Sequence, residues 1–391
     1  MRERVRSAVS RVIKLARSVV RALVPIRVLH SPFRGRIGHL AVEHDVFIKD
    51  QVLRGTGWRR GVILVSNETV ANEVLLDCWR RYVSVIRSPF WANFLARLDR
   101  LLNLQVDVSR YTVAINETAP YIAVLREWGD RPGLLALTEA QQQEGRARLA
   151  ELGLSPDAEF VCIHCREGGY SPGDEWAHSF RSSKVENYLL AVSALAKRGY
   201  WCIRMGDPSM SDVEPVARFI DYAHHDLRSD FMDVYLSASC KFFLGSASGL
   251  SWVADVFGRS CGVANQAPLS SVLAYGRNDV AIPKLIWSES EGRLLTFREI
   301  LGSNVGNFRF SALYEEHHIR TVENTLEDIR DLALEMLECS EGRVVYTPED
   351  EALQRRIKDL MRPGHYGYGG INRIGRDFLR KYVHLLGDNT G

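Results

Sequence analysis

The sequence predicts an α/β fold with two Rossmann-like domains facing a cleft. Short apolar runs of strand length alternate with stretches whose apolar residues recur at helical spacing, and this alternation occurs twice along the 391 residues. Between the two series, a charged, Gln-rich helix is predicted over 138–152, and it ends at Gly153 and Pro156. Alternating strands and helices form parallel βαβ units, so we expect two parallel sheets and a join between domains at residue 153.

The first half of the chain carries four predicted strands separated by helices. Apolar runs predict the strands, and apolar residues three and four apart predict the helices. A loop with two glycines, 30–40, follows the first strand. The predicted strands cover 25–29, 62–66, 82–86 and 112–115, and the predicted helices cover 67–78, 91–102 and a segment through Val46 and Phe47.

The second half begins with an apolar strand and continues with the same alternation. A polar loop, 166–183, follows that strand, and a glycine-rich stretch, 363–370, lies near the end of the chain. The predicted strands are 160–165, 200–205, 242–244 and 261–265, and the predicted helices are 184–197, 231–239, 250–257, 326–337, 349–361 and 372–386. We therefore divide the chain into an N-terminal helix (1–24), two domains (25–153 and 154–345) and a helical tail (346–391).

The overall composition is that of an ordinary soluble globular protein. Hydrophobic residues make up 46% and charged residues 25%, and the formal net charge is +2, so nothing indicates a nucleic acid as partner. The seven cysteines, spread from Cys78 to Cys339, fit a reducing cytoplasm better than a disulfide framework. We expect a cytoplasmic protein.

The first 24 residues predict a basic amphipathic helix. Seven Lys and Arg residues stand against the single acid Glu3 before residue 22, and apolar residues from Val5 to Leu23 line one helical face. Basic residues interrupt the apolar run, so the pattern favours neither a signal peptide nor a transmembrane span. Such a helix can lie on an anionic membrane surface, or it can pack on the protein's own body with a basic rim in solvent.

The segment 241–258 combines a short strand, a loop of small residues and a helix N-terminus. The unpaired N–H groups and the dipole at a helix N-terminus attract anions, and glycines let a phosphate approach the backbone. We expect an anion-binding loop here, and an ordinary helix-capping turn is the alternative. The loop residues concerned are Gly245, Ser246, Ser248 and Gly249.

Charged and polar residues follow two other predicted strands, at the position where α/β folds place their ligand groups. His164 lies at the end of one strand, and Arg166 follows it with a guanidinium suited to a diphosphate. An ion pair of Arg166 with Glu167 or a neighbour is the alternative. Arg181, in the polar loop, is a second candidate phosphate contact. Asp207 either accepts hydrogen bonds from a ribose or a base or caps its turn.

The sequence predicts no metal site and no cofactor. Cys162 and Cys165 form a CxxC pair, but on a strand their side chains point to opposite faces. A zinc site would need a second pair of ligands at zinc spacing, which the sequence does not supply.

The segment after the first strand holds candidates for a general base. A reaction that joins an acceptor hydroxyl to an activated sugar needs a base near the hydroxyl and positive charge near the leaving group. His39, at the predicted N-terminus of a helix, is the first candidate, and Glu43 and Asp45 are the alternatives. Hydrogen bonds that only stabilise the loop are the other interpretation of these three residues.

Several sequence blocks resemble a bacterial family of glycosyltransferases found with surface-polysaccharide genes. The blocks are ENYL, RGYW, IRMGDPSM and CKFFLGSASGL, and the similarity runs from residue 26 to residue 301. More distantly, the strand that ends in His164-Cys165-Arg166 and the Gly-Ser-Ala-Ser-Gly loop look like the nucleotide-diphosphate elements of fucosyltransferase-like and heptosyltransferase-like enzymes with the two-domain GT-B fold. The resemblance implies that the donor diphosphate is held by Arg166, Gly245, Ser246, Ser248 and Gly249.

The residues and the resemblance together predict a glycosyltransferase of the GT-B type. We expect it to move a sugar from a nucleotide-diphosphate donor to a glycan acceptor, lipid-linked, in bacterial surface-carbohydrate synthesis at the inner face of the membrane. Two alternatives remain open. One is a nucleotide-sugar epimerase or hydrolase of the same fold, and the other is a non-catalytic nucleotide-binding scaffold of a membrane assembly complex.

Overall fold

The computed structural model describes residues 15–16, 18–56, 60–65, 69–112, 119–170 and 172–387. The chain divides into two compact units, which we call unit 1 (residues 1–112) and unit 2 (residues 113–391). Each unit is built on a parallel β-sheet with helices between its strands. The predicted α/β class with two Rossmann-like parts is confirmed.

Unit 1 contains a four-stranded sheet with three helices between its strands. The strands are β1 (Ile26–His30), β2 (Arg60–Leu64), β3 (Val83–Ile86) and β4 (Gln105–Asp107), and the helices are α1 (Ile37–Leu53), α2 (Glu73–Cys78) and α3 (Pro89–Leu102). All strands are parallel, in the order β3-β2-β1-β4. Val28 of β1 lies opposite Val62 of β2 on one side and opposite Gln105 of β4 on the other.

The local sequence explains where α2 and α3 begin and end. The Asn72 side chain caps α2 by accepting a hydrogen bond from the backbone N–H of Leu75 at 2.8 Å. Pro89 stands in the first turn of α3, where its missing N–H costs nothing, and Asn103 ends α3 in the left-handed region at a φ of 53°.

The first three predicted strands of unit 1 are confirmed to within two residues. The strand predicted at 112–115 falls mostly outside the described residues, and the fourth strand of the sheet is β4, which the sequence analysis did not predict. A three-residue strand is too short to show an alternating pattern, which explains why it was missed.

Unit 2 contains a seven-stranded parallel sheet, a small antiparallel sheet and eleven described helices. The strands are β5 (Phe160–His164), β6 (Trp201–Arg204), β7 (Phe219–Ile220), β8 (Phe243–Ser246), β9 (Cys261–Gln266), β10 (Val280–Pro283), β11 (Leu285–Ser288), β12 (Arg293–Leu294), β13 (Ile319–Val322) and β14 (Arg373–Ile374). The helices are α4 (Ala119–Trp128), α5 (Glu139–Glu151), α6 (Pro172–His178), α7 (Leu189–Ala196), α8 (Asp230–Ser239), α9 (Gly249–Val256), α10 (Phe297–Gly302), α11 (Ser311–Glu316), α12 (Leu326–Ser340), α13 (Pro348–Asp359) and α14 (Arg376–Lys381). The large sheet has the order β14-β10-β9-β8-β5-β6-β7, and the small sheet has the order β12-β11-β13.

The two central strands of unit 2 are buried on both faces. Val161, Cys162, Phe243 and Leu244 are fully buried, as continuous apolar runs of central parallel strands are expected to be. The strands β5 and β8 pair directly and end together, with His164 of β5 opposite Gly245 of β8. The residues that follow these two strands therefore lie at the same edge of the sheet.

The division between the units falls at residue 112, whereas the sequence analysis placed the join at 153. Helices α4 and α5 belong to unit 2. The Tyr121 hydroxyl of α4 donates to the Ala274 carbonyl at 3.2 Å, and a Cβ at Gly145 of α5 would lie 1.9 Å from the ring of Tyr235. The composition of residues 113–153 does not show that this segment packs against later parts of the chain. The sequence analysis therefore placed the boundary 41 residues too late.

The C-terminal segment set apart as a tail, 346–391, joins the large sheet of unit 2. Strand β14 pairs with β10, with Arg373 opposite Val280. The Asn372 amide donates to the Val272 carbonyl at 3.0 Å, and Gln354 of α13 accepts from the backbone N–H of Ile374 at 3.1 Å. The described part of this segment is thus an integral part of unit 2.

The predicted N-terminal helix lies largely outside the described residues, which omit 1–14 and residue 17. Residues 18–23 are helical. Within the described part of the chain, no helix has both the length and the apolar character needed to cross a membrane.

Candidate functional site

The carboxyl ends of the parallel strands in unit 2 meet at one edge of the sheet, which we call the carboxyl edge. Arg166 lies just after β5, Asp207 after β6, Ser248 after β8 and Lys284 after β10. Open α/β sheets bind their ligands at this edge, outside the ends of the strands. The carboxyl edge of unit 2 is therefore the candidate site, and it brings together the residues predicted in this half of the chain.

Gly245 and Ser246 hold the strands of the carboxyl edge together. A Cβ at Gly245 would lie 2.4 Å from the backbone oxygen of His164, so glycine is required there by the close approach of β5 and β8. The Ser246 hydroxyl accepts a hydrogen bond from the backbone N–H of Arg166 at 2.7 Å. Both residues, predicted as phosphate contacts, thus have structural roles in the sheet.

Ser248 is the polar residue of this loop that has no such role. It stands at the N-cap position of α9, with Gly249 as the first helical residue, but its side chain makes no capping hydrogen bond. Its hydroxyl is buried, with the residue 8% exposed, and has no partner among the described residues. A helix N-terminus with unpaired N–H groups and an unsatisfied hydroxyl is suited to an anionic oxygen.

Arg166 and Arg181 bind the polar loop that follows β5. The Arg166 guanidinium pairs with Glu175 at 3.0 Å and also donates to the His178 carbonyl and the Ser182 hydroxyl. The sequence analysis gave two interpretations of Arg166, a diphosphate contact or an ion pair with Glu167 or a neighbour. The structure shows an ion pair, and its partner is Glu175. Arg181 donates to the Ala247 carbonyl at 2.6 Å, which ties the polar loop to the Ser248 loop.

His164 and Asp207 make hydrogen bonds to the backbone. The buried His164 ring bonds through Nδ1 to the Met205 carbonyl at 3.0 Å, and burial lowers its pKa. The Asp207 carboxylate accepts a hydrogen bond from the backbone N–H of Ser209 at 2.9 Å. It therefore caps its own turn, as one of the two interpretations of the sequence had it.

An ion-pair network that the sequence analysis missed fixes the loops after β5 and β6. Arg204 is fully buried at the end of β6 and donates to Glu167 at 2.8 Å and to Asp221 at 3.1 Å. Burial alone would raise the pKa of Glu167, but bonds from Ser211 and the charge of Arg204 lower it. An arginine at the end of an apolar strand is the sequence signal that could have revealed this network.

Lys284 is a second residue that the sequence analysis missed. It follows β10 directly, is buried, and donates through Nζ to the Ser182 carbonyl at 2.6 Å. Burial, opposed by the charge of Glu323 and assisted by that of Arg166, lowers its pKa to about 8. A lone lysine inside the apolar run AIPKLI was the available signal, but its position at the carboxyl edge depends on a strand that was not predicted.

The candidate base of unit 1 lies in the first turn of α1. The His39 ring bonds through Nδ1 to Glu43 at 2.8 Å, and the Thr112 hydroxyl donates to the same carboxylate oxygen at 2.8 Å. Glu43 is fully buried, and burial by itself would raise its pKa. Hydrogen bonds from His39 and Thr112 and the charge of His39 outweigh that effect and lower the pKa.

Of the three candidates in unit 1, His39 is the one that reaches solvent. Its side chain is partly exposed and packs on the ring of Phe33, with 4.8 Å between centroids. Asp45 is buried and pairs with Lys49 at 2.6 Å. Glu43 and Asp45 are both enclosed, and Nδ1 of His39 is held by Glu43, so the ring nitrogen of His39 that is not bonded to Glu43 is Nε2. Among the described residues, no cluster of three or more His, Cys, Asp or Glu could hold a metal ion.

Three solved glycosyltransferases are similar to this chain at low identity. A glycosyl transferase of family 9 from Veillonella parvula is 12% identical, with a TM-score of 0.39, over 61% of this chain and 79% of its own. The E. coli ADP-heptose LPS heptosyltransferase II is 13% identical, with a TM-score of 0.37, over 68% and 91%. The dodecameric iron-containing glycosyltransferase TibC from enterotoxigenic E. coli is 13% identical, with a TM-score of 0.33, over 62% and 59%.

No protein-family model matches the sequence, and no curated protein matches it. Structural similarity at the level of these three enzymes assigns no function. The function is therefore inferred from this chain's own residues.

Proposed function

We propose that the protein is a glycosyltransferase that uses a nucleotide-diphosphate sugar as its donor. The observation that carries the proposal is the hydroxyl of Ser248, buried without a described partner at the N-terminus of α9. A buried polar group in this state costs free energy until a ligand or a water satisfies it. The position favours an anionic oxygen, and a diphosphate supplies several.

Cations at the same carboxyl edge suit the charge of the leaving group. Transfer breaks the bond between the anomeric carbon of the sugar and the diphosphate oxygen, and the diphosphate leaves with that electron pair. Arg181 contacts the Ser248 loop, and Lys284 and Arg166 are linked through Ser182. Positive groups fixed in a buried site stabilise charge that develops in the transition state, so the proposed reaction does not depend on a metal.

His39 is the proposed base for the acceptor hydroxyl. The lowered pKa of Glu43 keeps its carboxylate ionised, so Nδ1 of His39 is the donor in their hydrogen bond and Nε2 carries the lone pair. As the acceptor oxygen bonds to the anomeric carbon, its proton passes to Nε2, and Glu43 stabilises the imidazolium. His39→Ala should abolish transfer while donor binding stays within about twofold of wild type.

The proposed acceptor is a glycan, carried on a lipid at the inner face of a bacterial membrane. The sequence blocks that resemble surface-polysaccharide glycosyltransferases support this acceptor. The basic, amphipathic N-terminal segment supports an anionic membrane surface as a partner.

A thermal-shift screen of the purified full chain tests the donor site. The panel is UDP, GDP, ADP, CMP and dTDP with their common sugars, each with and without magnesium. A ligand that binds only the folded state raises the melting temperature. We expect one nucleoside diphosphate to give a shift that Lys284→Met removes.

Lys241→Met is the matched control, since Lys241 lies before β8, at the opposite edge of the same sheet, and pairs with Glu159. It should keep the full shift. No shift from any member of the panel, with or without an acceptor glycan, would contradict the proposal. Transfer of labelled sugar to an added acceptor, in place of free sugar or an epimer, separates a transferase from a hydrolase, an epimerase or a scaffold.

A further inference from the structure

Helix α3 of unit 1 exposes four large apolar side chains to solvent. Phe90, Trp91, Phe94 and Leu101 are between 50% and 71% exposed. Among the residues of α3, all of which are described, Ala92 alone is buried. A surface helix normally buries its large apolar side chains, and these four side chains of α3 are instead exposed.

The four exposed side chains Phe90, Trp91, Phe94 and Leu101 form a surface that we call the α3 patch. Phe90 and Phe94 are four residues apart and Leu101 follows seven residues later, a spacing that puts all three on one helical face. Ring centroids lie 5.3 Å apart for Phe90 and Trp91 and 5.9 Å apart for Trp91 and Phe94. Asp99 lies on the opposite side of the helix with Oδ1 buried, so a polar residue points inward while the rings point outward.

Positive charge flanks the α3 patch and extends over unit 1. Arg97 and Arg100 stand near the exposed rings in the sequence, Asp99 is the single acid between residues 80 and 102, and Arg87 is paired with Glu73. Residues 1–112 contain 20 Lys and Arg against nine Asp and Glu, a formal charge of +11. Residues 113–391 contain 30 against 39, a formal charge of −9. The overall charge of +2 therefore conceals a strongly basic unit 1.

We propose that the α3 patch inserts into the headgroup region of an anionic phospholipid bilayer. Trp and Phe rings settle at the boundary between headgroups and acyl chains, and flanking arginines reach lipid phosphates while their stems cover apolar surface. The combination of exposed rings and concentrated positive charge matches an apolar surface that carries negative charge. This binding does not depend on the reaction proposed above.

The N-terminal segment supplies a second apolar surface in unit 1. Leu15, Val19 and Leu23 are four residues apart and exposed. The helical residues 18–23 lead into β1 and α3 leads into β4, two strands that run in parallel, so both helices end at the amino edge of the sheet. This topology puts Leu101, near the end of α3, at the same edge of the sheet as Leu23, whereas Phe90, Trp91 and Phe94 lie at the beginning of α3, towards the carboxyl edge of that sheet.

Vesicle sedimentation of the full-length protein tests the α3 patch. The variant is Phe90→Ser with Trp91→Ser and Phe94→Ser, and the vesicles are phosphatidylcholine alone or mixed with phosphatidylglycerol. We expect the wild type to bind the anionic vesicles, more weakly at higher salt, and the variant to bind them at least about tenfold more weakly. Both proteins keep the N-terminal segment, so the difference reports on α3.

Val345→Ser is the matched control, because Val345 is an apolar residue of unit 2 that is 70% exposed. It should leave vesicle binding unchanged. The melting temperature of each variant and its thermal shift with the nucleotide found above are measured in parallel. An unchanged nucleotide shift shows that unit 2 is intact, which separates failure of membrane binding from failure of the proposed reaction.

The Trp91→Phe variant tests whether the α3 patch enters the bilayer. This variant keeps an aromatic ring, so it should bind vesicles as the wild type does, but fluorescence quenching by brominated lipid should fall by the contribution of Trp91. The proposal is overturned if the triple variant binds anionic vesicles as well as the wild type, or if quenching is the same in Trp91→Phe. It is also overturned if the patch instead mediates self-association, seen as a dimer in solution that the triple variant abolishes while vesicle binding persists.

Discussion

Replacing Ser248 by alanine removes a single hydroxyl from the start of α9. That hydroxyl is buried, has no partner among the described residues and does not cap the helix. The substitution therefore breaks no hydrogen bond among the described residues, and it removes an unsatisfied polar group of a kind that costs about 1–3 kcal/mol. We expect the unliganded variant to be as stable as the wild type or more stable by up to about 3 kcal/mol.

In the complex with a nucleoside diphosphate, the same substitution removes a hydrogen bond to a charged oxygen. Such bonds contribute about 1.5–3 kcal/mol, and each 1.4 kcal/mol is about tenfold in Kd. The Kd should therefore rise roughly ten- to a hundredfold. Titration calorimetry with the nucleotide that gives the largest thermal shift measures the change in Kd, and a melting curve of the unliganded variant measures stability.

Two neighbouring serines serve as controls because their hydroxyls are already bonded. Ser251 donates to the Ser248 carbonyl at 2.9 Å, and Ser246 accepts from the backbone N–H of Arg166 at 2.7 Å. Alanine at either position should lower stability by about 0.5–3 kcal/mol, and Ser251→Ala should leave nucleotide affinity nearly unchanged. The reasoning is refuted if Ser248→Ala lowers stability as much as these controls do, or if its Kd equals that of the wild type.

Two further predictions concern the stability of unit 2. Gly245→Ala forces the Cβ against the backbone oxygen of His164, which lies 2.4 Å away, and should lower stability by about 1–3 kcal/mol or more, whereas Gly302→Ala, with open space around its Cβ, should have little effect on chemical denaturation. Burial raises the pKa of Glu335 to about 7 against the opposing bonds from Arg376 and Tyr346. The folded protein then holds this proton more tightly than the unfolded chain does. The contribution of protonated Glu335 to the free energy of unfolding is therefore fully present below about pH 4 and is lost as the pH rises through 7. Glu335→Gln should remove up to about 3 kcal/mol of that dependence, and melting curves that fall equally in both proteins between pH 5 and 8 would contradict the assignment.

The regular parts of the fold could be predicted because their patterns are local. The strands β5, β8 and β9 are apolar runs between turn residues, and helix α12 shows helical spacing over fifteen residues. The strands β7, β12 and β14 have two residues each, which is too few for any period to appear. The small antiparallel sheet and the pairing of the C-terminal segment with β10 depend on contacts between distant segments, and these leave no local signal.

The candidate site could likewise be predicted only in part. The loop with Ser248 could be located because a strand, a run of small residues and a helix follow one another in the sequence. The partner of Arg166 is Glu175, nine residues later in a loop, and its identity follows from the path of that loop rather than from the spacing. Among His39, Glu43 and Asp45, the difference in burial orders the candidates, and burial at the start of a helix is set by the surrounding chain.

The groups that each cation at the carboxyl edge already contacts indicate how far it could stabilise a leaving diphosphate. Arg166 is already paired with Glu175, so any attraction that it gains from a diphosphate is offset by attraction lost from that carboxylate. The Lys284 ammonium instead donates to the neutral carbonyl of Ser182, and burial already disfavours its charged form. An anion beside Lys284 would favour the charged form and raise its pKa, so binding and protonation reinforce each other. In the proposed reaction, stabilisation of the leaving group would therefore rest more on Lys284 and the N-terminus of α9 than on Arg166, whose guanidinium holds the loop after β5 in place.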